Sequence, residues 1–270
     1  MNAGPAIDVL IPTCQRACAL AVTLAALSAQ TLRDFRIIVS DQSEGPGAFA
    51  SAEVAALQRY LSATGIELLA LRHLPRLGMA EQRAFLLSRA EAPYCWFLDD
   101  DVIVESDLLA RLYRAMVAHQ CGLVGSAPHA LSHLADQRGA GQEIEFWDGA
   151  VEPERIEAGS AAWERHRLHA GARLFHVQQG LGLARADMRC YRVAWVGGCV
   201  LFNTAKLRAA GGFDFWRQLP VDHCGEEVLA QLRVIERFGG CGILPSGAYH
   251  MELPTITTTR CMDAAQAWRP

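Results

Sequence analysis

The stretch Tyr94-Cys95-Trp96-Phe97-Leu98-Asp99-Asp100-Asp101-Val102 constrains this chain more than any other. An apolar run stops abruptly at three carboxylates. The run predicts a strand buried on both faces, as in a parallel sheet. In open α/β sheets, ligands gather at the carboxyl ends of strands. Three like charges at such a place repel one another, and a divalent cation would relieve that repulsion. Hard oxygen donors suit Mg²⁺ or Mn²⁺, which usually arrive with the phosphates they neutralise. The competing reading is a charged turn in which an Asp caps the next helix.

The same alternation runs through the first hundred residues. Ile7-Asp8-Val9-Leu10-Ile11, Phe35-Arg36-Ile37-Ile38-Val39 and Glu67 to Leu71 predict strands. Ala17 to Gln30 and Ala50 to Ala63 predict helices, and another opens near Arg76-Leu77-Gly78 and runs to about Ala90. Polar tips follow the strands, as in a doubly wound nucleotide-binding half. Neither a Gly-x-Gly-x-x-Gly fingerprint nor a Walker A sequence is present, which excludes the usual dinucleotide and P-loop readings.

Beyond residue 105 the pattern loosens. A helix is predicted over 106–120. Residues 125–190 mix Gly, His, Arg and Trp without a clear period, a length of irregular chain that is often functional. Tyr191 to Phe202 predicts a strand, and Thr204 a helix cap. Gly225-Glu226-Glu227 opens a helix with Leu229, Leu232, Ile235 and Phe238 on one face, stopped by Gly239-Gly240. Ala248-Tyr249-His250 predicts a short extended piece, and residues from about 254 a tail.

With 270 residues, 51% of them apolar and 20% charged, the chain can bury a sizeable core. A net charge of -4 argues against a nucleic-acid partner, which would need a basic face. Nine scattered cysteines without a CxxC pair point to reduced thiols. The opening residues lack a basic signal-peptide region, and no apolar run reaches the length of a membrane span. The expected location is cytoplasmic, with peripheral membrane association left open. His129 and His133 stand four apart, but no Glu completes a zinc-protease pattern, so the spacing reads as coincidence.

Five local signals, in order, resemble the inverting glycosyltransferases of family 2. They are Ile11-Pro12-Thr13-x-x-Arg16, Asp41-Gln42-Ser43, Gly78-x-Ala80-x-x-Arg83, Asp99-Asp100-Asp101, and Gly211-Gly212-Phe213-Asp214 followed by Gly225-Glu226-Glu227. The likeness spans about residues 7–250, apart from the middle insertion. It implies an α/β chain with the GT-A fold, a Rossmann-like mixed sheet flanked by helices. It implies one domain, with a nucleotide-binding half to about 105, an acceptor-binding half over about 106–253, and a tail over about 254–270. Three departures stand out. Gln42-Ser43 omits a usual Gly, Ala84 replaces a usual Asn, and Glu227 stands where Asp is common.

The resemblance implies roles residue by residue. Thr13, Arg16, Asp41, Arg83, Asp99 and Asp100 would hold a nucleotide-sugar, most simply a UDP- or dTDP-sugar. Asp41 would accept a pyrimidine ring N–H; an Asx turn after the strand is the structural alternative. Arg16 and Arg83 would meet base or diphosphate through their guanidinium forks. Asp101, Asp99 and His250 would bind Mn²⁺ or Mg²⁺, and Asp99 and Asp101 would share a face if the segment is extended. Glu227 or Glu226 would be the general base, held charged by the helix N-terminus. Asp214 and Trp216 would line the side of a carbohydrate or lipid-linked glycan acceptor. Two other readings stay open: a catalytically degenerate nucleotide-binding scaffold, and a sugar nucleotidyltransferase, although the loop after the first strand lacks that class's glycines.

Overall fold

The computed structural model describes residues 4–136, 143–255 and 260–267. Strands and helices alternate through the first half: β1 (Ile7–Thr13), α1 (Ala17–Ser28), β2 (Phe35–Asp41), α2 (Ala52–Ala63), β3 (Leu68–Arg72), α3 (Met79–Arg89), β4 (Tyr94–Leu98), β5 (Val102–Val104) and α4 (Leu108–His119). The second half adds β6 (Leu123–Gly125), α5 (Ala161–Glu164), α6 (Arg173–Leu181), β7 (Arg189–Tyr191), β8 (Cys199–Asn203) and α7 (Thr204–Ala209). It closes with β9 (His223–Cys224), α8 (Glu226–Phe238), β10 (Gly240–Leu244), β11 (Ala248–His250), β12 (Met262–Asp263) and α9 (Ala264–Ala267).

One sheet runs in the order β3-β2-β1-β4-β8-β6-β10-β7. The pairs among β3, β2, β1 and β4 are parallel, and β8 lies antiparallel between β4 and β6. This is the mixed α/β sheet expected from the sequence. Alternating side chains feed two cores, because successive residues of a strand point to opposite faces. Val9, Ile11, Ile37, Val39, Trp96 and Leu98 pack with α1, α2 and α4 on one face. Leu10, Ile38, Cys95 and Phe97 pack with α3, α7 and α8 on the other.

The topology puts the tips of β1, β2 and β4 at one edge. Leu98 of β4 pairs with Cys199 at the start of β8, and Asp99 N–H donates to the Gly198 carbonyl at 2.9 Å. Thus the acidic tip meets the turn entering β8. Antiparallel pairing of β11 with β5 sets His250 opposite Val102, one residue past Asp101.

Some boundaries differ from the sequence reading. The apolar run over 191–202 is no single strand: it joins the end of β7 to β8 through residues 192–198, which form no strand and bend at Gly197 and Gly198. Asn203, not Thr204, caps α7, its side chain accepting from Lys206 N–H at 3.0 Å. The helix expected near Arg76 begins at Met79, because Gly78 adopts φ +102°. A Cβ there would lie 2.8 Å from the His223 ring, so only glycine fits this approach. Met262–Asp263 pairs in parallel with β9, and buried Ala264 packs in the second core. Among the described residues no helix is long and apolar enough to cross a membrane. All nine cysteines are free.

Candidate active site

A cleft of about 480 Å³ opens where the tips of β1 and β4 face the N-terminus of α8. Thr13, Arg16, Arg83, Asp99, Asp100, Asp101, Glu226, Glu227 and His250 all line it. The fold therefore gathers nine of the twelve residues singled out in the sequence; Asp41, Asp214 and Trp216 are not on its wall.

Arg83 is the centre of the arrangement. It sits in the second turn of α3 and is 4% exposed. Its Nη2 donates to Asp99 Oδ1 at 2.8 Å and reaches Glu227 Oε2 at 3.5 Å, while Nε donates to Glu226 Oε1 at 3.3 Å. Burial alone would weaken its charge, but Asp99, Glu227 and Glu226 more than offset that and hold it above the ordinary arginine range. One guanidinium thus ties the β4 tip to the start of α8.

Glu226 and Glu227 are not equivalent. The Glu226 side chain is 9% exposed and faces Arg83; that of Glu227 is 26% exposed and also accepts the Gly198 N–H at 3.3 Å. Burial pushes the Glu227 carboxyl up to about 7; Arg83 opposes the rise, and Asp99 and Glu226 add to it. The helix N-terminus was expected to hold this carboxylate in its charged form. Burial and the two neighbouring acids push it the other way.

The three aspartates diverge. Residues 100 and 101 form a turn rather than continuing the strand, so Asp99 and Asp101 take different partners. Asp99 pairs with Arg83. Asp100 accepts from Thr13 Oγ1 at 2.6 Å, and burial pushes its carboxyl up to about 7 against that hydrogen bond. Asp101 accepts Arg16 Nη1 at 2.6 Å and lies 3.7 Å from His250 Nε2. Arg16 also donates from Nη2 to the Pro254 carbonyl at 2.6 Å.

Asp41 is 1% exposed. Its two oxygens accept Ser43 N–H at 2.8 Å and Ala48 N–H at 2.7 Å, the Asx turn weighed in the sequence, and Gln42 lines the cleft instead. Asp214 points outward, its side chain 82% exposed, and Trp216 packs against the second core. His129 and His133 share no helix: His129 is buried in a bridge to Tyr249, and His133 lies in a 3₁₀ turn.

Several wall residues carried no motif. His223 Nε2 accepts the Ala80 N–H at 3.0 Å, and its Nδ1–H donates to the Pro220 carbonyl at 2.7 Å, so the ring serves one of the orphan N–H groups at the start of α3. Gln82 Nε2 donates to the Thr13 and Ser40 carbonyls at 3.1 and 2.7 Å, joining the tips of β1 and β2. Gln82 stands between Ala80 and Arg83 of the recognised motif, which was its only sequence signal. His223 had none, since a lone His two residues before Gly225 has no pattern.

The model of glycosyl transferase family 2 matches residues 8–178. The chain belongs to that family. Its match ends before α8, so Glu226 and Glu227 rest on geometry and not on the family match. Solved structures agree on the GT-A fold. S. aureus TarS superposes with a TM-score of 0.59 at 12% identity, over 90% of this chain and 36% of that one. Residues 1–349 of TarS with UDP-GlcNAc give 0.55 at 12% identity, over 93% of this chain and 60% of that one. The mannosyltransferase PcManGT from Pyrobaculum calidifontis, in complex with GDP-Man and Mn²⁺, gives 0.52 at 15% identity, over 89% and 57%. The chain thus spans about a third to three-fifths of these proteins. No curated protein matches it.

Proposed function

We propose that this protein is an inverting glycosyltransferase that moves a sugar from a UDP- or dTDP-sugar to an acceptor hydroxyl. The observation that carries the reading is the Arg83 junction. It puts a partly buried carboxylate, Glu227, across one cleft from the acidic tip of β4.

The donor lies along β1 and β2. Thr13 and Gln42 meet the base, with Asp41 holding the loop beside them and Asp100 kept in place by Thr13. Asp99, 30% exposed at its side chain, accepts ribose or sugar hydroxyls while Arg83 fixes its direction. Glu227 takes the proton of the acceptor hydroxyl as that oxygen attacks the anomeric carbon in line. The new C–O bond forms as the bond to the nucleoside diphosphate breaks, and the electron pair leaves on the phosphate. Glu226, turned to Arg83, positions rather than reacts.

A divalent cation would neutralise that leaving group as a Lewis acid. Among the described residues no three His, Cys, Asp or Glu groups could enclose an ion by themselves. Mg²⁺ and Mn²⁺ seldom need this, since one or two carboxylates plus substrate phosphates suffice. The donor set fits on those terms, with Asp101 as the ligand. His250 adjoins it, but its Nδ1 accepts the Glu252 N–H at 2.7 Å. In the neutral ring the proton is then on Nε2, toward Asp101, so this tautomer donates; ligation would require the 250–252 turn to reorganise. Asp99 is committed to Arg83. The free thiols agree with a cytoplasmic setting. The acceptor is a carbohydrate or a lipid-linked glycan met at a membrane surface.

Thermal shifts with UDP, GDP, CDP and dTDP, with and without Mn²⁺, on wild type and Asp101→Ala test the reading. A ligand that binds only the native state raises the midpoint. UDP or dTDP is expected to stabilise wild type in a Mn²⁺-dependent way and to lose that dependence in the variant. No shift with any nucleotide would refute the donor site and favour a degenerate scaffold.

A further inference from the structure

Gln42 keeps one hydrogen-bond acceptor open at the donor end of the cleft. It follows β2 directly, lines the cleft and is 2% exposed. Its backbone is engaged: the N–H donates to the Thr13 carbonyl at 3.0 Å, and the carbonyl accepts Cys14 Sγ at 3.4 Å. Its amide Nε2 donates to Glu81 Oε2 at 3.3 Å. Among the described residues its Oε1 takes no donor, yet that atom is not sealed from solvent, so it opens on the cleft.

Glu81 fixes which way the amide faces. It stands in the first turn of α3 and is 8% exposed. Each of its oxygens has a nitrogen partner: Oε2 takes Gln42, and Oε1 lies 2.8 Å from His73 Nε2. An ionised carboxylate only accepts, so it selects the NH₂ end of Gln42 and the tautomer of His73 with its proton on Nε2. Turning the amide over would set oxygen against oxygen. His73 is held in turn. Its backbone N–H donates to the Asp41 carbonyl at 2.9 Å, and its ring stacks on Phe85 with centroids 3.7 Å apart and planes 9° apart.

The neighbouring acceptors are already used. Both Asp41 oxygens accept backbone N–H groups of its own loop. The Thr13 carbonyl accepts from Gln42 and Gln82, and the Ser40 carbonyl from Gln82. At the tips of β1 and β2, the buried acceptor still offered to the cleft is thus Gln42 Oε1.

We propose that Gln42, turned by the Glu81–His73 pair, selects the donor base: its Oε1 accepts the ring N3–H of uracil or thymine and rejects cytosine. This rests on the glycosyltransferase reading and gives its donor site a base-selecting residue. Uracil and thymine carry a hydrogen on N3, whereas neutral cytosine carries a lone pair there. A fixed acceptor pairs with the first two and meets lone pair with lone pair in the third, and a site left with an unpaired polar group discriminates strongly. Glu81 and His73 are positioning residues, acting through Gln42.

The test is isothermal titration of UDP, dTDP and CDP, each with Mn²⁺, into wild type, Gln42→Met and Glu81→Gln, with melting curves to report the fold. Wild type should bind UDP and dTDP at least about tenfold more tightly than CDP. Gln42→Met keeps the length of the side chain without the acceptor and should bring UDP and CDP within about threefold of each other. Glu81→Gln presents an amide that both donates and accepts, releases Gln42 to turn over, and should narrow the same ratio. A purely structural role of Glu81 would weaken all three nucleotides alike. If Glu81→Gln does not fold, Gln42→Met decides alone. CDP bound as tightly as UDP by wild type, or a ratio unmoved in Gln42→Met, overturns the base selection; a ratio unmoved in folded Glu81→Gln overturns the part given to Glu81. Failure of all three nucleotides to bind wild type refutes instead the donor reading beneath it.

Discussion

Arg16 lies on Asp101: its Nη1 is 2.6 Å from Asp101 Oδ2, and its Nη2 holds the Pro254 carbonyl at the same distance. The carboxylate proposed to ligate a cation already has a positive partner, supplied by the chain. On the reading proposed above, a cation at Asp101 competes with Arg16, and a diphosphate offers that guanidinium a new partner. We expect Mn²⁺ alone to bind wild type weakly. Arg16→Gln should tighten binding of Mn²⁺ alone about tenfold and weaken that of the nucleoside diphosphate, given about 1.5–3 kcal/mol for a hydrogen bond to a charged group. Isothermal titration of each ligand separately checks both signs.

Glu227→Gln removes the carboxylate proposed as the base but keeps the size of the side chain. The turnover rate should fall about 10²- to 10⁴-fold, the usual span for a general base, with nucleotide affinity little changed. An equal loss in Glu226→Gln at unchanged nucleotide affinity would reverse the roles assigned to the two residues.

The pH profile follows from the same carboxylate. A base works when deprotonated, and burial pushes the Glu227 carboxyl up to about 7. In the metal-free protein, kcat/KM measured with any residual activity, or proton uptake at the site, should titrate near pH 7, with activity on the alkaline side. Stability runs the other way. A carboxyl with a raised native pKa binds its proton more tightly when folded, so its contribution is full below the unfolded value near 4.5 and is lost as pH rises through 7. Asp100 behaves alike, raised to about 7 by burial. The melting temperature of the metal-free protein should therefore carry a decline between about pH 5 and 7 that Asp100→Asn reduces.

Far from the cleft, Asp8 is a test of the frame. It is fully buried on β1 and accepts Arg36 Nε at 2.6 Å and the N–H groups of Glu91 and Ala92 at 2.6 and 2.8 Å. Asp8→Ala strands these donors and should cost about 3–5 kcal/mol, as for a broken buried pair. Denaturant unfolding measures it, and a loss within error of zero would contradict the packing described here.

The parallel strands and the acidic tip were readable because β1, β2 and β4 are buried on both faces and so run apolar without interruption. Glu226 and Glu227 were readable because a glycine precedes them and a periodic helix follows. β6 and β7 were not, because three residues are too few to show a period. Nor did the chain announce Gln231, which bonds both backbone groups of Val196, or His223. Each acts on the backbone of a segment far away in sequence, and a hydrogen bond to a main-chain group selects no partner residue. Asp41 carried two readings at once: an Asx-turn residue looks the same in sequence as a base-binding one.

The most direct measurement is a crystal structure of the protein soaked with UDP and Mn²⁺, with data collected at the manganese edge. The account predicts nucleotide along Thr13 and Gln42, an anomalous peak at Asp101, and Arg16 moved from that carboxylate toward phosphate. An empty cleft at saturating ligand, or nucleotide bound elsewhere with Arg16 still on Asp101, would contradict it.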